Sequence, residues 1–208
     1  MYLKHIFQIY IIFAVIMARN VEFDEERAIQ KAMEVFWKKG YSGASMRDLT
    51  EAMQINASSL YNTIGDKHQL FYRCISNYVH GRMQETLAHS SKIKSPLKAI
   101  ISLINDCVNT ILYSDNHCLA IKTTFELAAT DPDIKLLLKE DSDFTHSFLL
   151  DLIQRAMEQK EIAINTDAET LTNFIISAFT GWHESYIIYH DPIRIKKMAK
   201  YLLSQISG

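Results

Sequence analysis

The sequence predicts an all-α chain in which an N-terminal helix-turn-helix unit precedes a larger helical domain. Three observations carry this. Only three prolines and six glycines are spread over 208 residues, which leaves room for long uninterrupted helices. Beyond Arg82 apolar residues recur at the three- and four-residue steps of amphipathic helices. Between Asp24 and Tyr78 a helix ending at Gly40 is followed by two short helices a three-residue turn apart, then by a long fourth one.

The first seventeen residues stand apart. Ile6 to Ile16 is almost wholly apolar and follows Lys4, as in a signal peptide, but the run is shorter than the ~20 residues that span a bilayer. Ile16-Met17-Ala18 also makes a poor cleavage site. Met17-Ala-Arg-Asn-Val-Glu-Phe reads as the natural start of the helix-turn-helix domain, so residues 1–17 are expected to be an upstream misassigned start. An ordered apolar helix and an export signal are the alternatives.

The helix-turn-helix elements follow from capping chemistry. Ser45-Met-Arg-Asp opens the second helix as an N-cap with an acid three residues on, and Leu49, Ala52 and Met53 give it an apolar face. Asn56 caps the third helix. Its small residues Ala57, Ser58 and Ser59 let that end approach base edges, while Leu60 and Ile64, four apart, face inward. Gly65 stops it, and Asp66-Lys-His-Gln starts the fourth helix with another capping box.

Beyond Arg82 the pattern gives a bundle with loops at His89 to Lys94, Ser114 to His117, Thr130 to Asp133 and His190 to Pro192. Pro96 sits in the first turn of a helix carrying Ile100, Leu103, Ile104, Cys107, Val108 and Ile111. Shorter and longer helices follow over Ile121 to Ala129, Phe144 to Met157, Asp167 to Tyr189 and Ile193 to Ile206. The helix from Asp167 is apolar on two sides, Leu171, Phe174, Ala178, Trp182 on one and Ile175, Phe179, Tyr186, Ile187 on the other. One side covers the subunit's own core, and the other calls for a partner.

Residues 24 to 82 resemble the DNA-binding domain of the tetracycline-repressor (TetR) family of bacterial transcription regulators. The likeness rests on Phe36-Trp-Lys-Lys-Gly-Tyr, Ser45-Met-Arg-Asp-Leu, Ser59-Leu-Tyr and Gly65-Asp-Lys, each at the family's spacing. After the apolar leader 1–17, it implies a helix-turn-helix DNA-binding domain 18–82 and a helical effector-binding and dimerisation domain 83–208. It also implies that Tyr61 and Lys67 meet phosphates, with Ser45, Arg47, Asn56, Ala57, Ser58, Ser59, Asn62 and Thr63 completing the DNA-facing set. Two positions depart from the family pattern: its frequent turn glycine is Gln54, and its frequent phosphate-binding histidine is Thr63. The expected function is a ligand-responsive cytoplasmic repressor, a homodimer through residues 167–206 on an inverted-repeat double-stranded DNA operator. The alternative is a helical small-molecule-binding or interaction protein that has lost DNA binding.

Charge constrains how DNA would be held. Residues 18–82 carry nine Lys/Arg against eight Asp/Glu, and residues 83–208 twelve against sixteen, so specific contacts rather than bulk charge must supply affinity. Cys74, Cys107 and Cys118, odd in number and scattered, fit reduced thiols. Cys118, preceded by His117 in a polar loop opening a helix, is the one with a redox-sensing alternative. Neither cofactor nor metal is expected. His183-Glu184 begins like a zinc-protease HExxH motif, but its fifth position is Ile187, and neither a phosphate loop nor a nucleophile elbow is present, so no catalytic residue is assigned. Effector candidates are Tyr113, Phe125, Trp182, His183 and Tyr186, an aromatic set with polar tips. Glu126 is either a receptor for a cationic ligand or, by preference, a partner of Lys122 one turn earlier. The small-molecule effector itself is unspecified, and no membrane partner is expected.

Overall fold

A computed structural model describes residues 24–114, 118–163 and 167–206, and every regular element among them is an α-helix. The leader 1–17 and the His117 loop position lie outside the described residues. Helix α1, Glu25–Gly43, is capped by Asp24, whose Oδ1 accepts from the Arg27 N–H at 3.0 Å. Glu25 and Glu26 in its first turn suit the helix dipole. Its helical backbone breaks at Gly40, as the sequence suggested, with φ 76° and ψ 174°, before one further turn. Helix α2, Met46–Met53, opens on the Ser45–Asp48 capping box. Helix α3, Ala57–Thr63, opens on Asn56, whose side chain accepts from the Ser59 N–H at 2.7 Å. The turn between them passes through Gln54 in the left-handed region, φ 57° and ψ 38°, so the residue accepts the conformation that glycine adopts without cost.

Helix α4, Lys67–Ser90, begins at the Asp66–Gln69 capping box and leaves the helix-turn-helix to run beside the rest of the molecule. Helix α5, Pro96–Tyr113, is capped by Ser95, with Pro96 at the position where its missing N–H is harmless. Helix α6, Leu119–Leu127, starts two residues earlier than its sequence pattern suggested. Its N-cap, Cys118, makes no side-chain capping bond, so the sequence carried no start signal there. Helix α7, Pro132–Glu158, is twice the expected length. Its first half shows a thin apolar stripe of Ile134, Leu137 and Leu138 amid Asp133, Lys135, Lys139, Glu140 and Asp143, which masked the helical period. Helices α8, Ala168–Tyr189, and α9, Pro192–Ile206, complete the chain.

Two apolar cores result. The first joins α1 to α4 around Phe36, Leu49, Leu60, Leu70 and Phe71, and also takes in Leu119 and Leu127 of α6 and Ile134, Leu137 and Leu138 of α7. Burial of each such side chain contributes about 1.5–3 kcal/mol. The second gathers α5, α8, α9 and the later part of α7 around Ile100, Ile104, Leu149, Ile153, Ile175 and Trp182. Helix α7 therefore has one end in each core. Helix α1 packs on α6, and α4 packs on both α6 and α7.

Candidate DNA-reading face and effector cavity

The exposed end of the helix-turn-helix is set by its caps. Leu60, fully buried, and Ile64, 6% exposed, pin one side of α3 to the first core, and this turns Ala57, Ser58, Tyr61, Asn62 and Thr63 outward, with Ser59 half-buried. Tyr61 is 55% exposed although aromatic. Lys67 stands half-buried at the start of α4, its ammonium 4.6 Å from the centre of the Tyr41 ring, an arrangement that steadies a long cation without neutralising it. Arg47 is exposed on α2 and its Nε donates to Glu51 at 2.7 Å, so it must exchange that partner to meet a base. Ser45 and Asn56 are exposed but already engaged. The Ser45 hydroxyl and backbone N–H both donate to Asp48 Oδ2, at 2.7 and 2.9 Å, and Asn56 holds the α3 N-terminus. The Lys39 ammonium, 2.6 Å from Asp48, together with the Ser45 donors, holds the Asp48 carboxyl well below the usual range.

Behind this face lies a cavity of about 680 Å³, a size suited to a small organic ligand. It is walled by Met33 and Trp37 of α1, Tyr78, Arg82 and Glu85 of α4, Leu103, Asp106 and Cys107 of α5, Cys118 and Ile121 at the start of α6, Thr145 and Phe148 of α7, and Phe179 and His183 of α8. Every major element except α2, α3 and α9 thus contributes a wall. Arg82 pairs with the buried Asp141 and donates to Thr145 Oγ1 at 3.2 Å. Burial opposes its charge, yet Asp141 outweighs this and raises the guanidinium above its ordinary pKa. The Tyr78 hydroxyl donates to Cys118 Sγ at 3.5 Å, and burial pushes its own pKa up. Burial also raises the Cys107 thiol, and pushes the Cys74 thiol, enclosed in the first core, up to about 12.

The aromatic set expected to line such a cavity is mostly elsewhere. Only His183 faces it, its Nδ1 bonded to the Phe179 carbonyl at 2.8 Å. Trp182, 5% exposed, fills the second core, and half-buried Tyr186 packs at that core's edge with its ring against His190. Tyr113 and Phe125, 70% and 73% exposed, are turned away from the cavity by the phase of their helices. Phe179, grouped by the sequence with Ile175, Tyr186 and Ile187, lines the cavity and packs on Trp182 of the other group. Arg82, Cys107 and Phe148 were not anticipated as cavity residues: Cys107 and Phe148 sat on amphipathic helices and Arg82 at the end of the helix-turn-helix segment, and only the tertiary fold brings them together.

Glu126 binds backbone, and Lys122 one turn earlier adds a favourable charge beside it. Its Oε1 and Oε2 accept from the backbone N–H groups of Ser42 and Tyr41 at 2.8 and 3.0 Å. Lys122 donates to the Trp37 carbonyl at 2.7 Å. One turn of α6 thereby clasps both sides of the Gly40 break in α1. The close approach needs glycine, since a Cβ at Gly40 would lie 2.9 Å from Glu126 Oε2. Burial disfavours the Glu126 charge, but the Ser42 and Tyr41 donors prevail and lower its pKa. No described helix is long and apolar enough to cross a membrane.

Residues 28–74 match the family described as bacterial regulatory proteins, tetR family, and residues 96–202 match the tetracyclin repressor-like C-terminal domain. The chain is 28% identical over 162 residues to YezE of Bacillus subtilis (strain 168), an uncharacterised HTH-type transcriptional regulator, covering 76% of this chain and 84% of that one. It is 26% identical over 163 residues to the HTH-type transcriptional repressor ComR of Escherichia coli (strain K12), covering 76% and 77%. Among solved structures, the TetR family regulator CifR, a cysteine mutant on operator DNA, superposes with TM-score 0.76 at 24% identity over 88% of this chain and 96% of that one. The reduced form of E. coli NemR gives TM-score 0.79 at 11% identity, over 88% and 97%.

Proposed function

The chain belongs to the tetracycline-repressor family of bacterial regulatory proteins and is a DNA-binding regulator of transcription, and from that premise we propose that it represses as a homodimer released from DNA by a small molecule. The observation that carries this is the exposed face Ala57, Ser58, Tyr61 and Asn62 of α3, flanked by Lys67 over the Tyr41 ring. A small-residue helix end of this kind enters the major groove, with Tyr61 and Lys67 anchoring phosphates and Arg47 and Asn62 choosing bases. Ser45 and Asn56 contribute by holding α2 and α3 in register. Residues 18–82 are the DNA-binding part and residues 83–208 the effector-binding and dimerisation part, with dimer contacts over residues 167–206. The effector occupies the cavity behind α1 and α4. The protein works in the cytoplasm, where its operator is, and without catalysis.

In a mobility-shift titration with the DNA beside its own gene, the protein should give one saturable complex on a fragment containing an inverted repeat. Two half-sites about one helical turn or slightly more apart follow from a two-fold dimer. Equal affinity for that fragment and for scrambled DNA of the same length would overturn the proposal.

A further inference from the structure

Away from the cavity, where α4 begins beside the α6–α7 connection, His68, Asp131 and Asp133 bring together one imidazole and two carboxylates whose ligand atoms all lie within 4.8 Å of one another. His68 Nε2 stands 2.7 Å from Asp131 Oδ2, while Asp131 Oδ1 accepts from the Asp133 and Ile134 N–H groups and so caps α7. The Asp131 N–H donates to the Leu127 carbonyl at 2.9 Å, which ties the same corner to the end of α6. Asp133 is exposed, and its carboxylate makes no hydrogen bond or ion pair among the described residues. Two carboxylates this close repel each other, and a divalent cation between them removes that cost. The 63 positions separating His68 from Asp131 hide the set from any sequence motif.

We infer that His68, Asp131 and Asp133 bind one divalent transition-metal ion of the zinc type, which fastens the first turn of α4 to the α6–α7 connection and favours DNA binding. One imidazole nitrogen with two carboxylate oxygens suits zinc, whereas magnesium and calcium prefer oxygen alone. Zinc bonds of about 2.0–2.2 Å set ligand atoms roughly 3–3.5 Å apart. The His68–Asp131 pair therefore opens slightly, the exposed Asp133 side chain swings inward, and water takes the fourth position. The proton lying between His68 Nε2 and Asp131 Oδ2 passes to solvent as the ion enters. Lys67 immediately precedes His68, so the ion cancels two negative charges close to the residue assigned to a DNA phosphate. Only this last consequence rests on the repressor reading above.

The full chain, stripped of metal by a chelator, is dialysed to equilibrium against zinc chloride or magnesium chloride. Zinc should bind at about 100 μM free ion and magnesium should not. His68→Gln and Asp133→Asn should each weaken zinc binding at least ~10-fold; the second alters an exposed side chain and leaves the α7 cap intact. Exchange at the Gln69 and Ile134 amides, which the Asp66 and Asp131 caps hold, should slow about 10-fold at zinc ten times its dissociation constant. In Asp133→Asn that exchange should not respond. Operator affinity at low salt should rise at least ~3-fold with zinc in the wild type and not in Asp133→Asn. Absence of bound zinc, zinc retained by both variants, equal binding of magnesium, or bound zinc without slower exchange at Gln69 and Ile134 overturns the site. Operator affinity that zinc leaves unchanged or lowers overturns its role in DNA binding. A chain that binds no operator with or without zinc would instead strike at the repressor reading and leave the dialysis and exchange results standing.

Discussion

Gly40 joins backbone geometry to the clasp from α6. Its φ of 76° is one that L side chains rarely adopt, and an added Cβ would meet the Glu126 carboxylate. Gly40→Ala is expected to destabilise by about 1–2 kcal/mol or more, read as a lowered urea midpoint at unchanged slope. Glu126→Gln should cost about 1 kcal/mol at pH 7, because one of two backbone donors loses its acceptor at a partly solvated site. The pH dependence has a definite sign. The folded Glu126 pKa lies below its ordinary 4.5, so its contribution is fully present above that value and is lost as pH falls through the folded value. The stability gap between wild type and Glu126→Gln should therefore narrow below about pH 4.5, and a gap that widens on acidification contradicts the clasp. Sequence alone marked Glu126 as unusual, an acid in an apolar helix, and offered a cationic ligand or, by preference, Lys122 as its partner; against the burial that raises it, Lys122 does lower its pKa. Its hydrogen-bond partners are backbone groups of residues 41 and 42, and no side-chain pattern encodes a bond to a main-chain N–H.

The α2–turn–α3 element was legible because each boundary is written in capping chemistry. Ser45 with Asp48, Asn56, and Asp66 with Gln69 all cap as their spacing predicts. The first half of α7 and the start of α6 were not legible, one for lack of a broad apolar stripe and the other for lack of a capping side chain. Gln54 marks where sequence and backbone disagree, and the strain is measurable. Gln54→Gly should stabilise the chain by about 0.5–1 kcal/mol, the left-handed penalty less the entropy of glycine; a destabilised variant would mean that the Gln54 side chain makes compensating contacts. DNA binding has its own test on this element. Lys67→Ala should weaken binding to all sequences nearly equally and reduce the salt slope by about one, whereas Arg47→Ala should relax preference at one base position per half-site. Unchanged affinity of Lys67→Ala at moderate salt would remove Lys67 from the phosphate set.

For the whole molecule the sequence correctly marked α8 as carrying more apolar surface than one subunit can cover, but it divided the faces wrongly. Ile175 and Trp182, assigned to opposite sides, are both buried in the second core, and Phe179 faces the cavity. The surface left open is Phe174 and Ile188, with the small exposed residues Ser177 and Gly181 between them, continued by Ile193 and Tyr201 of α9. Small residues between large ones allow a second helix to approach closely, and in a two-fold interface each such residue meets the same patch on the mate. Phe174→Glu should thus bring two carboxylates onto one apolar seam while leaving the subunit core untouched. The expected loss in dimer affinity is at least ~100-fold, the order that an unpaired buried charge imposes. Sedimentation should show wild type as a dimer at about 1 μM and the variant as a folded monomer. Since two half-sites are read only by two linked α3 helices, the monomer should also lose preference for the inverted repeat over a single half-site. A Phe174→Glu protein that stays dimeric and keeps this preference would place the dimer seam elsewhere on the molecule.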